Sequence, residues 1–186
     1  YFDNSNITND KVQNVYSALN LSSEKLKILL PGRLTRWKGQ EMFIESLNLL
    51  KKKYKKENFQ GIILGSHQGR TVYFKKLISL IEKYGLKRDI IFIKHIKEMP
   101  VAYYVSDIVV SSSIEPEAFG RISVEAQAMR RPILASNHGG SKETIVNGKS
   151  GFLFDNNNPE SLAENLNKLM EMDKDKLQSI GNEGRK

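Results

Sequence analysis

Short apolar runs rich in β-branched residues recur along the chain and constrain its fold more than any other feature. They occupy residues 28–30, 62–64, 90–93, 108–110 and 133–135. Runs of this length and composition are typical of parallel strands that are buried on both faces of a sheet. Segments with helical periodicity separate the runs, at about residues 40–53, 73–84, 98–104, 121–130 and 141–146, and two more follow at 159–171 and 173–181. This alternation predicts an α/β fold built on a doubly wound parallel sheet.

The chain reads as a single folded domain with a short N-terminal segment. A length of 186 residues suits one domain with a sizeable core. Residues 1–20 are rich in Asn, Ser and Asp, and they carry Val12, Val15, Tyr16 and Leu19 at helical spacing, which predicts a short helix ahead of the core. We find no internal repeat, low-complexity tract or dividing linker. Residues 21–186 are therefore expected to form the domain itself.

Composition limits the classes of binding partner and the cellular compartment that we expect. A content of 39% hydrophobic and 27% charged residues is that of a globular protein and argues against disorder. The formal net charge of +8 favours an anionic partner, which could be a nucleotide, a nucleic acid or an acidic membrane surface. The chain has no cysteine and no apolar run near the roughly 20 residues of a spanning helix, so we expect a cytoplasmic protein whose membrane contact, if any, is peripheral.

The loops that follow the predicted strands are the candidate functional segments, because ligands bind beyond the carboxyl ends of the strands in an open parallel sheet. In the first of these loops, Arg33 and Lys38 can both reach a phosphate, while Gly32 and Gly39 allow the backbone to approach closely. A diphosphate is the expected ligand, and a merely solvated basic loop is the alternative. The spacing matches neither a P-loop nor a dinucleotide-binding fingerprint, which disfavours an ATPase or a dehydrogenase.

Two glutamates mark the loop and helix after the fourth predicted strand. Glu125 interrupts an otherwise apolar and small-residue helical surface, where a carboxylate is costly unless it is paired or binds a ligand. Glu117 lies in the preceding loop and is equally well explained as a solvated residue. The helix start near Gly120 suits an anion. The separation of the two glutamates allows both to face one ligand.

Three ordered motifs resemble glycosyltransferase family 4, whose members have the GT-B fold. They are Gly32-Arg33-Leu34 with Lys38-Gly39, Glu117-Ala118-Phe119-Gly120 with Glu125-Ala126, and Gly139-Gly140 with Glu143. The resemblance runs from about Lys27 to Leu166. It implies a Rossmann-like domain, the carboxyl-terminal half of such an enzyme, which holds the nucleotide sugar. The amino-terminal domain, which would supply the acceptor site, is absent from this chain, residues 1–20 would end the interdomain linker, and the last helix is expected to be truncated.

The resemblance also assigns roles to individual residues. Arg33 and Lys38 would neutralise the diphosphate, Glu117 would hold hydroxyls of the transferred sugar, and Glu125 would accept hydrogen bonds from the ribose. These groups make Glu117, Arg33 and Lys38 the expected catalytic residues. The remaining donor-binding positions would act mainly through the backbone: Gly32 and Gly65 beside the nucleotide, Ile93, Lys94, His95 and Ile96 at the base, and Ala118, Phe119 and Gly120 at the sugar and phosphates.

The resemblance implies a retaining, metal-independent hexosyltransferase. The donor would be a nucleoside-diphosphate sugar, with UDP or GDP as the nucleotide, and no further cofactor is implied. The acceptor would be a glycan or a lipid-linked molecule in cell-envelope polysaccharide or glycolipid synthesis, and the fragment alone would be inactive. A non-catalytic module for nucleotide or RNA phosphates and a GT-B nucleotide-sugar epimerase are the alternatives. Nucleic acid is disfavoured because two carboxylates oppose a polyanion, and a glycosidase because the surrounding loops suit phosphate.

Several residues are open to a plain structural interpretation. Lysines at positions 51, 52, 53, 55 and 56 suit a solvated helix end better than an anionic lipid surface. Trp37 and the pair Tyr103-Tyr104 suit core packing better than a cleft edge. His138 suits a surface loop, and Asp173-Lys174-Asp175 suits a solvated helix rather than a metal site.

Overall fold

The computed structural model describes residues 1–186 and contains one six-stranded parallel sheet in the order β3-β2-β1-β4-β5-β6. Every pair of neighbouring strands is parallel. The strands are β1 Leu26–Pro31, β2 Phe59–Leu64, β3 Ile90–Ile93, β4 Ile108–Ser111, β5 Ile133–Ser136 and β6 Phe152–Phe154. The predicted doubly wound sheet is confirmed.

Eight α-helices connect and flank these strands. They are α1 Asn9–Ala18, α2 Gln40–Lys52, α3 Thr71–Tyr84, α4 Met99–Tyr104, α5 Arg121–Ala128, α6 Ser141–Thr144, α7 Pro159–Met170 and α8 Lys174–Arg185. Two single-turn 3₁₀ helices, Asn4–Asn6 and Arg36–Lys38, precede α1 and α2. No helix is both long and apolar enough to cross a membrane.

The sheet has one strand more than the apolar runs predicted. β6 is three residues long and pairs only with β5, at the edge of the sheet. Its Phe-Leu-Phe sequence has no β-branched residue, and two of its three residues are only half-buried. The periodicity that marks a central buried strand is therefore missing here. Some helix ends also differ: α6 stops at Thr144 rather than near residue 146, and α8 continues to Arg185 rather than ending near 181.

The core lies on both faces of the sheet because successive side chains of a strand point to opposite faces. In β1, Ile28 and Leu30 join the cluster formed with α2, α3 and α7, whereas Leu29 joins the cluster formed with α4 and α5. All three are at most 2% exposed. Burial of an aliphatic side chain to this degree contributes roughly 1.5–3 kcal/mol to folding. Continuous burial on both faces explains why the central strands read as unbroken apolar runs.

The strand order reverses between β1 and β4. From β1 the chain proceeds outward through β2 to β3, and from β4 it proceeds in the other direction through β5 to β6. Loops that leave the carboxyl ends of β1 and β4 therefore diverge and open a crevice, which is where ligands bind in sheets of this kind. The loops that carry Lys38 and Glu117 flank this crevice.

Candidate functional site

A cavity of about 430 Å³ opens at the carboxyl ends of β1 to β4. It brings together most of the side chains predicted from the sequence. Those at its wall are Gly32, Arg33, Lys38, Gly65, Lys94, His95, Ile96, Glu117 and Glu125. Cationic groups therefore share one cavity with two carboxylates, so the cavity offers partners both to an anion and to hydroxyl groups.

Four predicted residues lie elsewhere. Ala118, Phe119 and Gly120 line a shallower neighbouring depression, which they share with Trp37. Ile93 does not line the cavity: its side chain is 7% exposed and belongs to the core, so the backbone contact expected of it stays a prediction. Its carbonyl oxygen accepts a hydrogen bond from the backbone N–H of Gly65 and so fixes the cavity wall from behind.

The loop after β1 is held in shape from within. Its 3₁₀ turn ends at Gly39, whose φ of +71° is a left-handed conformation that favours glycine. The side-chain amide of Gln40 donates to the carbonyl of Arg33 at 2.9 Å, and the hydroxyl of Tyr73 donates to Gln40 Oε1 at 3.1 Å. These bonds fix the backbone that bears Arg33, while its guanidinium remains exposed. The loop is thus preorganised, and the cation that it presents is free to engage a ligand.

Lys38 and Glu117 form an ion pair across the crevice. Lys38 Nζ lies 2.7 Å from Glu117 Oε1, and the hydroxyl of Ser113 donates to the same oxygen. The side chains of Lys38 and Glu117 are 12% and 16% exposed, so solvent screens the pair only partly. Lys38 Nζ also lies 4.4 Å from the centroid of the Trp37 ring. Trp37 is therefore half-buried at the rim of the cavity, and its ring lies beneath the Lys38 ammonium. The sequence favoured a position in the core instead.

Glycines let the loops meet backbone to backbone. A Cβ at position 39 would lie 1.8 Å from the carbonyl oxygen of Ser112, and one at position 65 would lie 1.9 Å from that of Gly32. Neither approach is compatible with a side chain. The loop after β1 is consequently wedged between the loops after β2 and β4.

The Glu117 segment is supported on its other side by the loop after β5. The N–H of Gly140 donates to the carbonyl of Glu117 at 2.8 Å, and a Cβ on Gly139 would lie 2.5 Å from the same oxygen. His138 Nε2 lies 2.7 Å from the carbonyl of Ser113, so this nitrogen carries the proton that is donated. His138 is half-buried and acts as a brace, which the interpretation as a plain surface histidine missed. Glu117 is thus fixed by contacts from three loops.

Glu125 reaches the cavity from α5. This helix begins at Arg121 without a side-chain cap, so its first N–H groups remain available to an anion. The hydroxyl of Tyr103, on α4, donates to Glu125 Oε2 at 2.7 Å. Burial, and then the nearby Glu125 carboxylate, raise the pKa of Tyr103 well above its usual range. Tyr103 and Arg121 both line the cavity, and sequence patterns did not single out either as a site residue.

The lysine-rich end of α2 is largely neutralised. Lys51 pairs with Asp89, Lys53 with Glu160 and Lys56 with Glu171. This surface is therefore less positive than the sequence alone indicates.

The segment Asp173-Lys174-Asp175, at the start of α8, has a structural role. Asp173 caps this helix by accepting a hydrogen bond from the N–H of Lys176 at 2.7 Å. No group of three or more His, Asp or Glu side chains in the protein is arranged to hold a metal ion.

The fold and the cavity define a Rossmann-like domain of the kind found in GT-B glycosyltransferases. The characteristic sequence pattern of the family described as glycosyl transferases group 1 matches residues 13–186. The chain belongs to this family.

Solved structures share the fold over nearly the whole chain. A glycosyltransferase from Rickettsia africae is 33% identical, with a TM-score of 0.93 over 100% of this chain and 48% of its own. HepE of Anabaena, determined in complex with UDP-glucose, is 26% identical, with a TM-score of 0.87 over 96% of this chain and 48% of its own. The C-terminal domain of the group 1 glycosyl transferase LpcC from Francisella tularensis is 30% identical, with a TM-score of 0.79 over 93% of this chain and 88% of that domain.

A curated relative is the capsular polysaccharide biosynthesis glycosyltransferase CapM of Staphylococcus aureus. It is 26% identical over 185 residues, which cover 100% of this chain and 46% of CapM. The chain thus spans less than half the length of the curated relatives that it matches.

Proposed function

We propose that the chain is the donor-binding, carboxyl-terminal half of a retaining, metal-independent hexosyltransferase that uses a nucleoside-diphosphate sugar. The observation that carries this proposal is the placement of Lys38 and Arg33 in one cavity with Glu117 and Glu125. Cations alone would suit any phosphate. Carboxylates that accept hydrogen bonds from hydroxyls add a preference for ribose and for a hexose.

The cationic side of the cavity suits the leaving group. When the bond between the sugar and the phosphate breaks, negative charge grows on the diphosphate oxygens. Lys38, Arg33 and the uncapped N-terminus of α5 would stabilise this charge, and because the loop of Arg33 is already fixed, little reorganisation is needed. Diphosphate binding would draw Lys38 from its present partner Glu117. That exchange frees the carboxylate to accept hydrogen bonds from the hydroxyls of the sugar.

The other side of the cavity suits the nucleoside. Glu125 would bind the ribose hydroxyls, and the backbone from Lys94 to Ile96 would meet the base. Backbone groups of Ala118, Phe119 and Gly120 would help to hold the sugar and phosphates. Lys94 is exposed at the cavity wall and makes no ion pair, so its ammonium is available to a ligand.

The comparisons supply support for the finer assignments. UDP-glucose in HepE favours UDP as the nucleotide, and the fit to the C-terminal domain of LpcC favours the donor-binding half, with residues 1–20 as the end of a linker. The name of CapM, a capsular polysaccharide biosynthesis glycosyltransferase, supports a place in cell-envelope polysaccharide synthesis. The acceptor that we propose is a glycan or a lipid-linked molecule. The acceptor site would then lie on a separate amino-terminal domain. The lack of cysteine agrees with a cytoplasmic location.

The proposal is tested by calorimetric titration of the chain with UDP, GDP and ADP and with their glucose and mannose conjugates. We expect one nucleotide to bind best and its sugar conjugate to bind more tightly than the nucleotide itself. Glu117→Ala should remove the sugar preference, and Glu125→Ala should weaken all ribose-containing ligands. Binding that ignores the sugar and survives both substitutions would instead support a general phosphate-binding module.

Turnover distinguishes the remaining alternatives. We expect negligible sugar transfer by residues 1–186 alone, because in this proposal the acceptor side of the cleft would be supplied by a separate amino-terminal domain. Robust acceptor-dependent transfer by these residues would refute that expectation. Change of the nucleotide sugar without any acceptor, in the full-length protein, would favour an epimerase.

A further inference from the structure

Tyr103 lies at the wall of the cavity with no exposed surface, and its hydroxyl is bonded to one of the cavity's carboxylates. Its side chain is 0% exposed, on α4, and its hydroxyl donates to Glu125 Oε2 at 2.7 Å. Glu125 forms no ion pair, and Tyr103 is the only side chain that donates a hydrogen bond to it. The orientation of this carboxylate therefore depends on a single bond from a residue that a ligand does not need to touch.

The hydrogen bond from Tyr103 leaves the second carboxylate oxygen of Glu125 available to a ligand. Tyr103 takes Oε2, so Oε1 of Glu125 remains without a protein donor at the cavity wall. A tyrosine phenol is protonated at neutral pH, and burial raises the pKa of Tyr103 further, so the hydroxyl remains a donor there. A glutamate side chain that is not held in this way loses rotamer freedom when a ligand orders it, and that loss weakens binding.

We propose that Tyr103 is a positioning residue that fixes Glu125 for the ribose hydroxyls of the donor. This inference rests on the assignment of Glu125 to the ribose in the proposed function. Tyr103 acts through Glu125, so its removal should affect ligands with ribose hydroxyls and should spare ligands without them.

The same ring also has a packing role, which the experiment must separate from the role of its hydroxyl. The ring of Phe2 meets Tyr103 edge-on, with centroids 5.8 Å apart, and Tyr103 belongs to the core cluster that includes Ala126 of α5. Tyr103→Phe keeps the ring and removes only the donor. Tyr104→Phe is the matched control, because it removes the same hydroxyl from the next residue. The Tyr104 ring centroid lies 4.9 Å from Arg131 Cζ, and its hydroxyl makes no hydrogen bond to Glu125.

The test measures affinity for UDP and for 2′,3′-dideoxyuridine diphosphate by calorimetry, with GDP and its dideoxy analogue in parallel. For Tyr103→Phe we expect UDP to bind about 5- to 10-fold more weakly, the cost of ordering one glutamate side chain on binding, and the dideoxy analogue to change by less than about 2-fold. Tyr104→Phe should leave both affinities unchanged. In a Glu125→Ala background, Tyr103→Phe should have no further effect on UDP.

The outcomes separate this inference from the function on which it rests. If Tyr103→Phe weakens UDP and the dideoxy analogue equally, Tyr103 is a packing residue only and the inference is overturned. An unchanged affinity for UDP overturns it as well. If the unsubstituted chain binds neither UDP nor GDP, the proposed function fails first. A variant that loses stability still decides the question, because the comparison between the two ligands is made on the same folded protein.

Discussion

Lys38 Nζ and Glu117 Oε1 lie 2.7 Å apart although the two residues are separated by 79 positions in the sequence. The pair joins the loop after β1 to the loop after β4, across the point where the strand order reverses. The cation expected to bind phosphate and the carboxylate expected to bind sugar therefore neutralise each other. Diphosphate and Glu117 compete for the same ammonium, and this competition leads to the first two predictions.

Lys38→Met should weaken the binding of UDP and of UDP-glucose to the same extent. The substitution removes a charge-assisted hydrogen bond to the diphosphate, so we expect a loss of roughly 10- to 100-fold, measured by calorimetry. Uridine, which has no phosphate, should lose little. Lys52→Met is the control, since Lys52 is exposed on α2 and forms no ion pair. An equal loss in the control, or undiminished UDP binding by Lys38→Met, would contradict the role given to Lys38.

Glu117→Gln should move two affinities in opposite directions. Removal of the competing carboxylate frees Lys38, so UDP should bind about 2- to 5-fold more tightly. The ratio of the affinity for UDP-glucose to the affinity for UDP should fall by about 10-fold, so UDP-glucose itself should bind more weakly. Glu115→Gln in the same loop is the control, because Glu115 is exposed and has no bonded partner. A parallel loss of both ligands would show that Glu117 serves only to hold the loop.

Gly39→Ala should destabilise the fold far more than Gly85→Ala. The two glycines have φ angles of +71° and +69°, so the cost of a left-handed alanine, about 1 kcal/mol, is common to both. A Cβ at position 85 meets open space, whereas one at position 39 meets the Ser112 carbonyl oxygen at 1.8 Å. We expect a loss of about 3 kcal/mol or more for Gly39→Ala in urea unfolding. Equal losses in the two variants would mean that the loops separate without cost.

Removal of divalent metal should leave donor binding unchanged. Lys38 and Arg33 lie at the cavity wall and would meet the charge of the diphosphate without an ion. Titrations of UDP with EDTA and with added Mg²⁺ should therefore give the same affinity within about 2-fold, a free-energy difference of only ~0.4 kcal/mol. A large gain of affinity with Mg²⁺ would show that the ion takes part in binding.

The central sheet was predictable because its strands are buried on both faces. Ile28, Leu29 and Leu30 are all apolar since each face of β1 is covered, and such runs are recognisable one by one. An edge strand such as β6 escapes the same pattern, because it is short and half exposed. Strand order is also set by packing between distant segments rather than by any local run.

Some of the candidate site residues could be found from local sequence, and their contacts could not. Arg33 and Lys38 follow a strand, and Glu125 stands out on an apolar helix. Glu117 was equally well explained as a solvated loop residue, and only the resemblance of the motifs gave it a role. The bond between Lys38 and Glu117 depends on how two distant loops pack. Tyr103 is a buried core residue, as favoured from its sequence, but the target of its hydroxyl is visible only once α4 and α5 are in place.

The turn between α5 and β5 contains a left-handed residue that is not glycine. Arg130 follows the end of α5 and has a φ of +53°. A glycine takes this conformation without strain, whereas a residue with a Cβ does not.

The wedge formed by Gly39 and Gly65 separates part of the frame of the site from the charges that it presents. At these two positions the loops meet through main-chain atoms, whereas the charges at the cavity wall are carried by side chains such as Lys38, Glu117 and Lys94. We expect substitutions of these side chains to leave the main-chain contacts of the wedge in place. The charge of the cavity can then change by single substitutions, with no new loop to be folded.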